Sequence, residues 1–141
     1  MNEPSRVVAL YLAPVRHEPA VAVESVQALA DHGFVGDAHA KPGSDRQLLL
    51  MDRESLDTLD LSPGKLKENI TTAGLSLYEM SPGQRLRLGR AVIELTKPCP
   101  PCGQMEAIRR GLERELEGRR GYLARVVESG EVRVGDAIEL L

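Results

Sequence analysis

Between Gln84 and Thr96 the chain alternates and then turns back, a pattern that admits little other than β structure. Leu86 and Leu88 fall on one face of a strand from Gln84 to Leu88, with Arg85 and Arg87 on the other. Gly89-Arg90 supplies a turn, and Ala91 to Thr96 returns as the partner strand. The remaining apolar runs are equally short. Arg6 to Pro14, Val21 to Leu29, Gln47 to Met51 and Gly121 to Val127 each read as one strand, and Lys65 to Thr71 enters another. Gly33 to Asp45, with Gly33, Gly36, Pro42 and Gly43, reads as a loop, and Asp52 to Leu59 as a short helix. Val132 to Leu140 echoes Leu86 to Leu95, which predicts a second hairpin at the C-terminus.

One longer helix is expected from Gly103 to Glu117. Met105, Ile108, Leu112 and Leu116 make a single apolar stripe there. Glu106 with Arg110, and Arg109 with Glu113, stand one helical turn apart with opposite charge. Gly111 weakens this helix by about 1 kcal/mol relative to Ala. About seven to nine short strands with one main helix predict a mainly β fold, a closed or nearly closed barrel. The 141 residues carry no linker or low-complexity stretch, so a single domain over 1–141 is expected.

Composition removes several function classes. With no Trp, one Phe and three Tyr, the core must be aliphatic, and stacking platforms for single-stranded nucleic acid are not expected. A net charge of −3 without a long Lys/Arg run leaves no duplex-binding footprint. The apolar run Val7 to Ala13 is too short to span a bilayer and lacks the flanks of a signal peptide. The expectation is a cytoplasmic protein with no nucleic-acid or membrane partner.

Three places hold residues capable of chemistry. The first is Pro98-Cys99-Pro100-Pro101-Cys102-Gly103, which contains both cysteines of the chain. Three prolines fix φ and withdraw N–H groups, so the segment should be a stiff loop. Cys102 stands where the expected helix begins, and the unpaired N–H groups of a helix N-terminus favour the nucleophilic thiolate. Such a thiol suits persulfide transfer, metal ligation or thiol–disulfide exchange. It also suits half of a zinc site completed by His17, His32 or His39, although zinc takes four ligands and no second Cys pair exists. A thioredoxin-like dithiol would need a βαβ context that the downstream residues lack. Either cysteine can also simply be a small buried hydrophobe. The residues alone leave these alternatives open.

The second place is Gly33-Phe34-Val35-Gly36-Asp37-Ala38-His39, where two glycines allow polar side chains to converge. On physical grounds it reads better as a turn in which Asp37 caps backbone N–H groups and His39 is solvated. The third is scattered: Arg46-Gln47, Lys65, Lys67, Glu68-Asn69 and Arg119-Arg120-Gly121. Arg120 before a glycine would let backbone and guanidinium approach one anion, whereas Lys65, Lys67 and Arg119 read as solvated charges.

Taken in order, Gly36-Asp37-x-His39, Arg46-Gln47, Glu68-Asn69-Ile70, Gly74, the Gly83-to-Glu94 hairpin, Cys102, Gly121 to Val127 and Gly130-x-Val132-x-Val134-Gly135-Asp136 resemble the MOSC domain family over roughly Arg6 to Leu140. That family is named for the C-terminal domain of molybdenum-cofactor sulfurase. The resemblance implies a β-rich barrel and makes Cys102 the functional cysteine, with Cys99 at a position where relatives vary. It implies that Cys102 carries sulfur as a persulfide or ligates the molybdenum of a bound molybdenum cofactor (molybdopterin). Asp37, His39, Arg46, Asn69 and Arg120 would line the pocket, the cationic ones holding the pterin phosphate. Members that reduce N-hydroxylated compounds have an extra N-terminal domain, and eukaryotic sulfurases fuse a pyridoxal-phosphate desulfurase. This chain has no room for either, so pyridoxal phosphate is expected only in a separate partner such as a cysteine desulfurase. The resemblance leaves three functions open: sulfur carrier or sulfur transferase, molybdenum-dependent reductase, and a non-catalytic interaction module or Cys99–Cys102 redox switch.

Overall fold

The structure is a computed structural model that describes residues 4–141. In chain order the elements are β1 (Arg6–Leu12), β2 (Val21–Val23), β3 (Ser25–Leu29), β4 (Gly33–Phe34), β5 (Leu48–Asp52), helix α1 (Arg53–Thr58), β6 (Ile70–Ala73), β7 (Arg85–Leu88), β8 (Ala91–Pro98), helix α2 (Leu112–Glu115), β9 (Tyr122–Glu128), β10 (Gly130–Arg133) and β11 (Ile138–Leu140). Short 3-10 turns at Leu77–Glu79 and Gly103–Ala107 complete the set. The fold is mainly β, as the short alternating runs require.

Eight strands form a mixed sheet in the order β11-β7-β8-β9-β5-β6-β1-β2, with β5–β6 its parallel pair. The other three form a small antiparallel sheet, β10-β3-β4. Of the expected closed or nearly closed barrel, the closed form is not found, because the ladder leaves β11 and β2 as edges of an open sheet. The sheet does curl far enough to bring the start of β1 against residues 135–138. Gly135 N–H donates to Val7 O, Val7 N–H to Asp136 O and Ile138 N–H to Ser5 O. A short seam thus stands where a full strand pairing would have closed the ring.

Three other expectations change. The C-terminal echo is not a second hairpin: β10 pairs with β3, and β11 pairs with β7. Val134 N–H is taken by Glu24 O and Gly135 N–H by Val7 O, so distant partners carry the chain from one sheet to the other. Val21 to Leu29 divides at Glu24 into β2 and β3, which lie in different sheets. The long helix breaks at Gly111, which adopts φ +87. Glu106 is the reason. Its carboxylate accepts the N–H groups of Gly111 and Glu113, so it caps α2 instead of pairing with Arg110. Arg109 accordingly pairs with Glu115 and donates to Leu59 O. The apolar stripe survives the break, since Met105, Leu112 and Leu116 are all buried.

Two cores result. The larger lies inside the curled sheet, where Leu10, Leu48, Leu50, Ile70, Leu86, Leu88, Ile93 and Tyr122 pack with Phe34 from the small sheet. The smaller packs Met51, Leu56, Leu59, Leu61 and Leu66 against Met105, Leu112 and Leu116. No helix among the described residues is long and apolar enough to cross a membrane.

Candidate functional site

β8 runs antiparallel to β9 until Pro98 stands opposite Tyr122. The last bond of this ladder is Cys99 N–H to Gly121 O at 2.9 Å. Pro100 and Pro101 then offer no donor, and the chain leaves the sheet. Cys102 lies in extended conformation immediately before the 3-10 turn, its carbonyl accepting Met105 N–H. Met105 is buried in the smaller core, so the loop is anchored at both ends with Cys102 exposed between them. The helix expected to begin here is a five-residue 3-10 turn. The helix-dipole argument for a thiolate at Cys102 therefore lapses, and what the fold supplies is exposure and a fixed position. Cys99 is half-buried, and both thiols are free. Among the described residues no cluster of three His, Cys, Asp or Glu stands close enough to hold a metal ion, so the histidines do not complete a zinc site with Cys99 and Cys102.

Across the ladder from Cys99 stands Arg120-Gly121. A Cβ on Gly121 would lie 2.5 Å from Leu50 O, and φ there is +106, so only glycine lets this strand start press against β5. That seats Arg120 inside the molecule, 8% exposed. Its Nη2 donates to Leu66 O at 3.1 Å, while Nε and Nη1 are buried with no hydrogen-bond partner. Wholly buried Glu68 lies two residues beyond Leu66. One of its oxygens accepts Gly64 N–H and Thr71 Oγ–H, and the other is buried without a partner. Burial, and secondly the charge of Glu68, hold the Tyr11 phenol above its ordinary range. A buried charged group left unpaired is costly, so such atoms mark places where a fold is not finished by its own side chains.

The other expected site residues are placed differently. Asp37 is buried, and its carboxylate accepts Ala13 N–H at 2.8 Å and His39 N–H at 3.2 Å, tying its loop to the chain just after β1. Burial raises its pKa, but the hydrogen bonds from the His39 ring and these two amides outweigh burial and hold it below the usual range. His39 is exposed beside it, with Nδ1 3.5 Å from the carboxylate. Asn69 accepts Leu49 N–H and donates to Tyr11 O, so its carboxamide is committed to the backbone of two other strands. Arg46 is exposed. Its neighbour Asp45 is tied to Thr96 and Lys97, which brings Arg46 to the flank of the strand leading to Cys102. Arg120 is thus buried beside the end of β8, Cys102 and Arg46 are exposed on the segments flanking that strand, and Asp37 and Asn69 brace backbone.

One cluster escaped the sequence. Asp52 caps α1, accepting Ser55 N–H and Ser55 Oγ–H, and its other oxygen accepts the Tyr78 hydroxyl at 2.7 Å. Burial, and then the Asp52 charge, push the Tyr78 phenol far above its ordinary range. Asp52 and Tyr78 border an open cleft of about 500 Å³, lined also by Glu54 and residues 74–79. The Asp-x-x-Ser spacing was a readable cap signal, but nothing local announces Tyr78 as its partner.

Comparison with known proteins bears on the family and the fold. The family model for the MOSC domain matches residues 36–139. The uncharacterised protein YflK of Bacillus subtilis is 34% identical over 88 residues, which span 57% of this chain and 38% of YflK. The crystal structure of YuaD from Bacillus subtilis superposes with a TM-score of 0.81 at 19% identity, covering 99% of this chain and 97% of that one. YiiM from Geobacillus stearothermophilus gives 0.78 at 17% identity, covering 98% and 75%. YiiM from Escherichia coli gives 0.71 at 24% identity, covering 100% and 70%. The fold is thus shared with these structures, and the chain belongs to the MOSC domain family, which is associated with molybdenum-cofactor proteins.

Proposed function

We propose that this domain holds the molybdenum cofactor, or sulfur destined for it, at the end of β8, with Cys102 as the sulfur or metal contact and Arg120 as the anion contact. The observation that carries this reading is the buried Arg120 guanidinium, two of whose nitrogens lack partners beside the strand that presents Cys102. Cys102 is three peptide steps from Cys99, so the two Cα atoms lie at most about 11 Å apart. The donor set suits the group: an arginine for a phosphate and an exposed thiol for a soft metal. Arg46, on the same flank, adds a second cation. When bound, the cofactor supplies a metal centre that accepts thiolate ligation and does redox or sulfur chemistry.

The part of this protein's own residues is simpler. In sulfur transfer the Cys102 thiolate attacks the outer sulfur of a donor persulfide. The donor's S–S bond breaks, the donor leaves as a thiolate, and Cys102 retains the outer sulfur and its proton as a new persulfide. Arg120 holds an anionic group of the acceptor without taking part in that exchange. The cytoplasm and a cysteine desulfurase partner are the setting this reading requires.

The test is to produce the protein where the cofactor is made and to measure bound molybdenum, pterin and persulfide. Cys102→Ser should lose bound molybdenum and persulfide, and Cys99→Ser should keep them. Full retention in Cys102→Ser overturns the reading, and equal loss in both variants points to a dithiol switch instead. Reduction of an N-hydroxylated base by the loaded protein would make it a reductase, and its absence together with persulfide turnover would make it a carrier.

A further inference from the structure

We infer that Glu68 is the second ligand contact of this site, receiving N–H donors of the same small molecule whose oxyanion Arg120 holds. This rests on the proposed function and names which part of the ligand each side chain reads. Both side chains are more than nine-tenths buried, carry opposite charge and retain buried atoms without partners. Both are also fastened to one short segment: Glu68 to Gly64 N–H, and Arg120 to Leu66 O. Gly64 and Leu66 are two residues apart, so their Cα atoms lie within about 7 Å. No hydrogen bond joins the two side chains to each other, although either would satisfy part of the other's need.

The free atoms define the ligand. A carboxylate oxygen accepts only, so Glu68 calls for N–H or O–H groups. The Nε and Nη1 hydrogens of one guanidinium point apart, so a single oxygen cannot serve both, and an anion with several oxygens fits best. A ring edge with adjacent N–H donors, of the 2-amino-4-oxopyrimidine kind, joined to a phosphate has both features. The free atoms are closed to solvent here, so binding exchanges the Arg120 bond to Leu66 O for bonds to the ligand, and the 64–67 segment lifts with it.

The decisive variant is Glu68→Gln. Its carbonyl oxygen can keep the bonds from Gly64 and Thr71, while its NH₂ turns the free acceptor into a donor. Binding of 2-amino-4-oxopteridine, followed by its fluorescence, and of inorganic phosphate, followed by calorimetry, should be measured on the full chain together with melting temperature. The wild type should bind both probes. Glu68→Gln should lose the pteridine by roughly tenfold or more, the loss expected for one charge-assisted hydrogen bond, and keep phosphate. Arg120→Gln should do the reverse. The inference is overturned if the wild type does not bind the pteridine, or if Glu68→Gln binds it unchanged. It is also overturned if Glu68→Gln merely lowers the melting temperature and both affinities together. Should Glu68→Gln bind the pteridine normally while Cys102→Ser still loses molybdenum, Glu68 is no contact and the proposed function stands.

Discussion

Two sets of buried polar side chains in this domain behave in opposite ways. Around the large core, Gln47, Asn69 and Asp37 spend their atoms on backbone. Gln47 accepts Val126 N–H and donates to Lys41 O. Asn69 joins Leu49 to Tyr11, and Asp37 joins its loop to Ala13. Around the 64–68 segment, Arg120 and Glu68 spend only part of theirs. The first set ties distant segments of the curled sheet together, and the second keeps buried donors and an acceptor unspent. Burial alone does not separate the two sets. The count of partners does.

This comparison can be broken by measurement. The largest expected effect is at Asn69: Asn69→Ala leaves Leu49 N–H and Tyr11 O unpaired and should cost about 2–4 kcal/mol in urea denaturation. A loss under about 0.5 kcal/mol would show that the bracing role is empty. Next is Asp37→Ala, about 1–3 kcal/mol at neutral pH for the amides it orphans. Because the folded carboxyl titrates below its ordinary value, the unfolded chain takes up the proton first on acidification. The contribution of Asp37 is therefore complete above about pH 5, falls through the ordinary carboxylate range near pH 4 and is gone below the folded pKa. The gap between wild type and variant should close over that window, and a gap that widens in acid would contradict it.

Gly111→Ala places a Cβ at positive φ and should cost about 1 kcal/mol, read from the thermal midpoint. A gain in stability would mean that the continuous helix is the better description. Smallest in stability is Arg120→Met, within about 1 kcal/mol of wild type, since the charge it removes is buried and unpaired. The same variant should lose phosphate binding by roughly tenfold or more. A large destabilisation with phosphate binding intact would place Arg120 with Asn69 and Asp37.

Legibility in the sequence follows the range of the interactions. The β7–β8 hairpin was readable because alternation and a Gly-Arg turn are local. Asp37 read from its glycine-rich surroundings as a capping residue, and it accepts two backbone N–H groups. The matching Val132–Leu140 stretch misled, because its amides are claimed by Glu24 and Val7, more than a hundred residues away. The helix over 103–117 misled for a subtler reason. Glu106 had two good uses, pairing with Arg110 or capping past Gly111, and the spacing displayed only the first. Arg120 was visible as an arginine before a glycine, but its unspent nitrogens emerge only when Leu66 is brought beside it.

The prolines around Cys102 have a consequence for survival in a cell. An exposed loop is ordinarily where proteases nick a chain and where stray strands attach, and both recognise a row of free backbone N–H and C=O groups. From Pro98 to Cys102 only the two cysteines possess an N–H, and that of Cys99 is already bonded to Gly121 O. A cleaving or aggregating neighbour therefore finds a single donor, at Cys102 itself. The thiol can stand in the open without offering the chain that bears it for cutting.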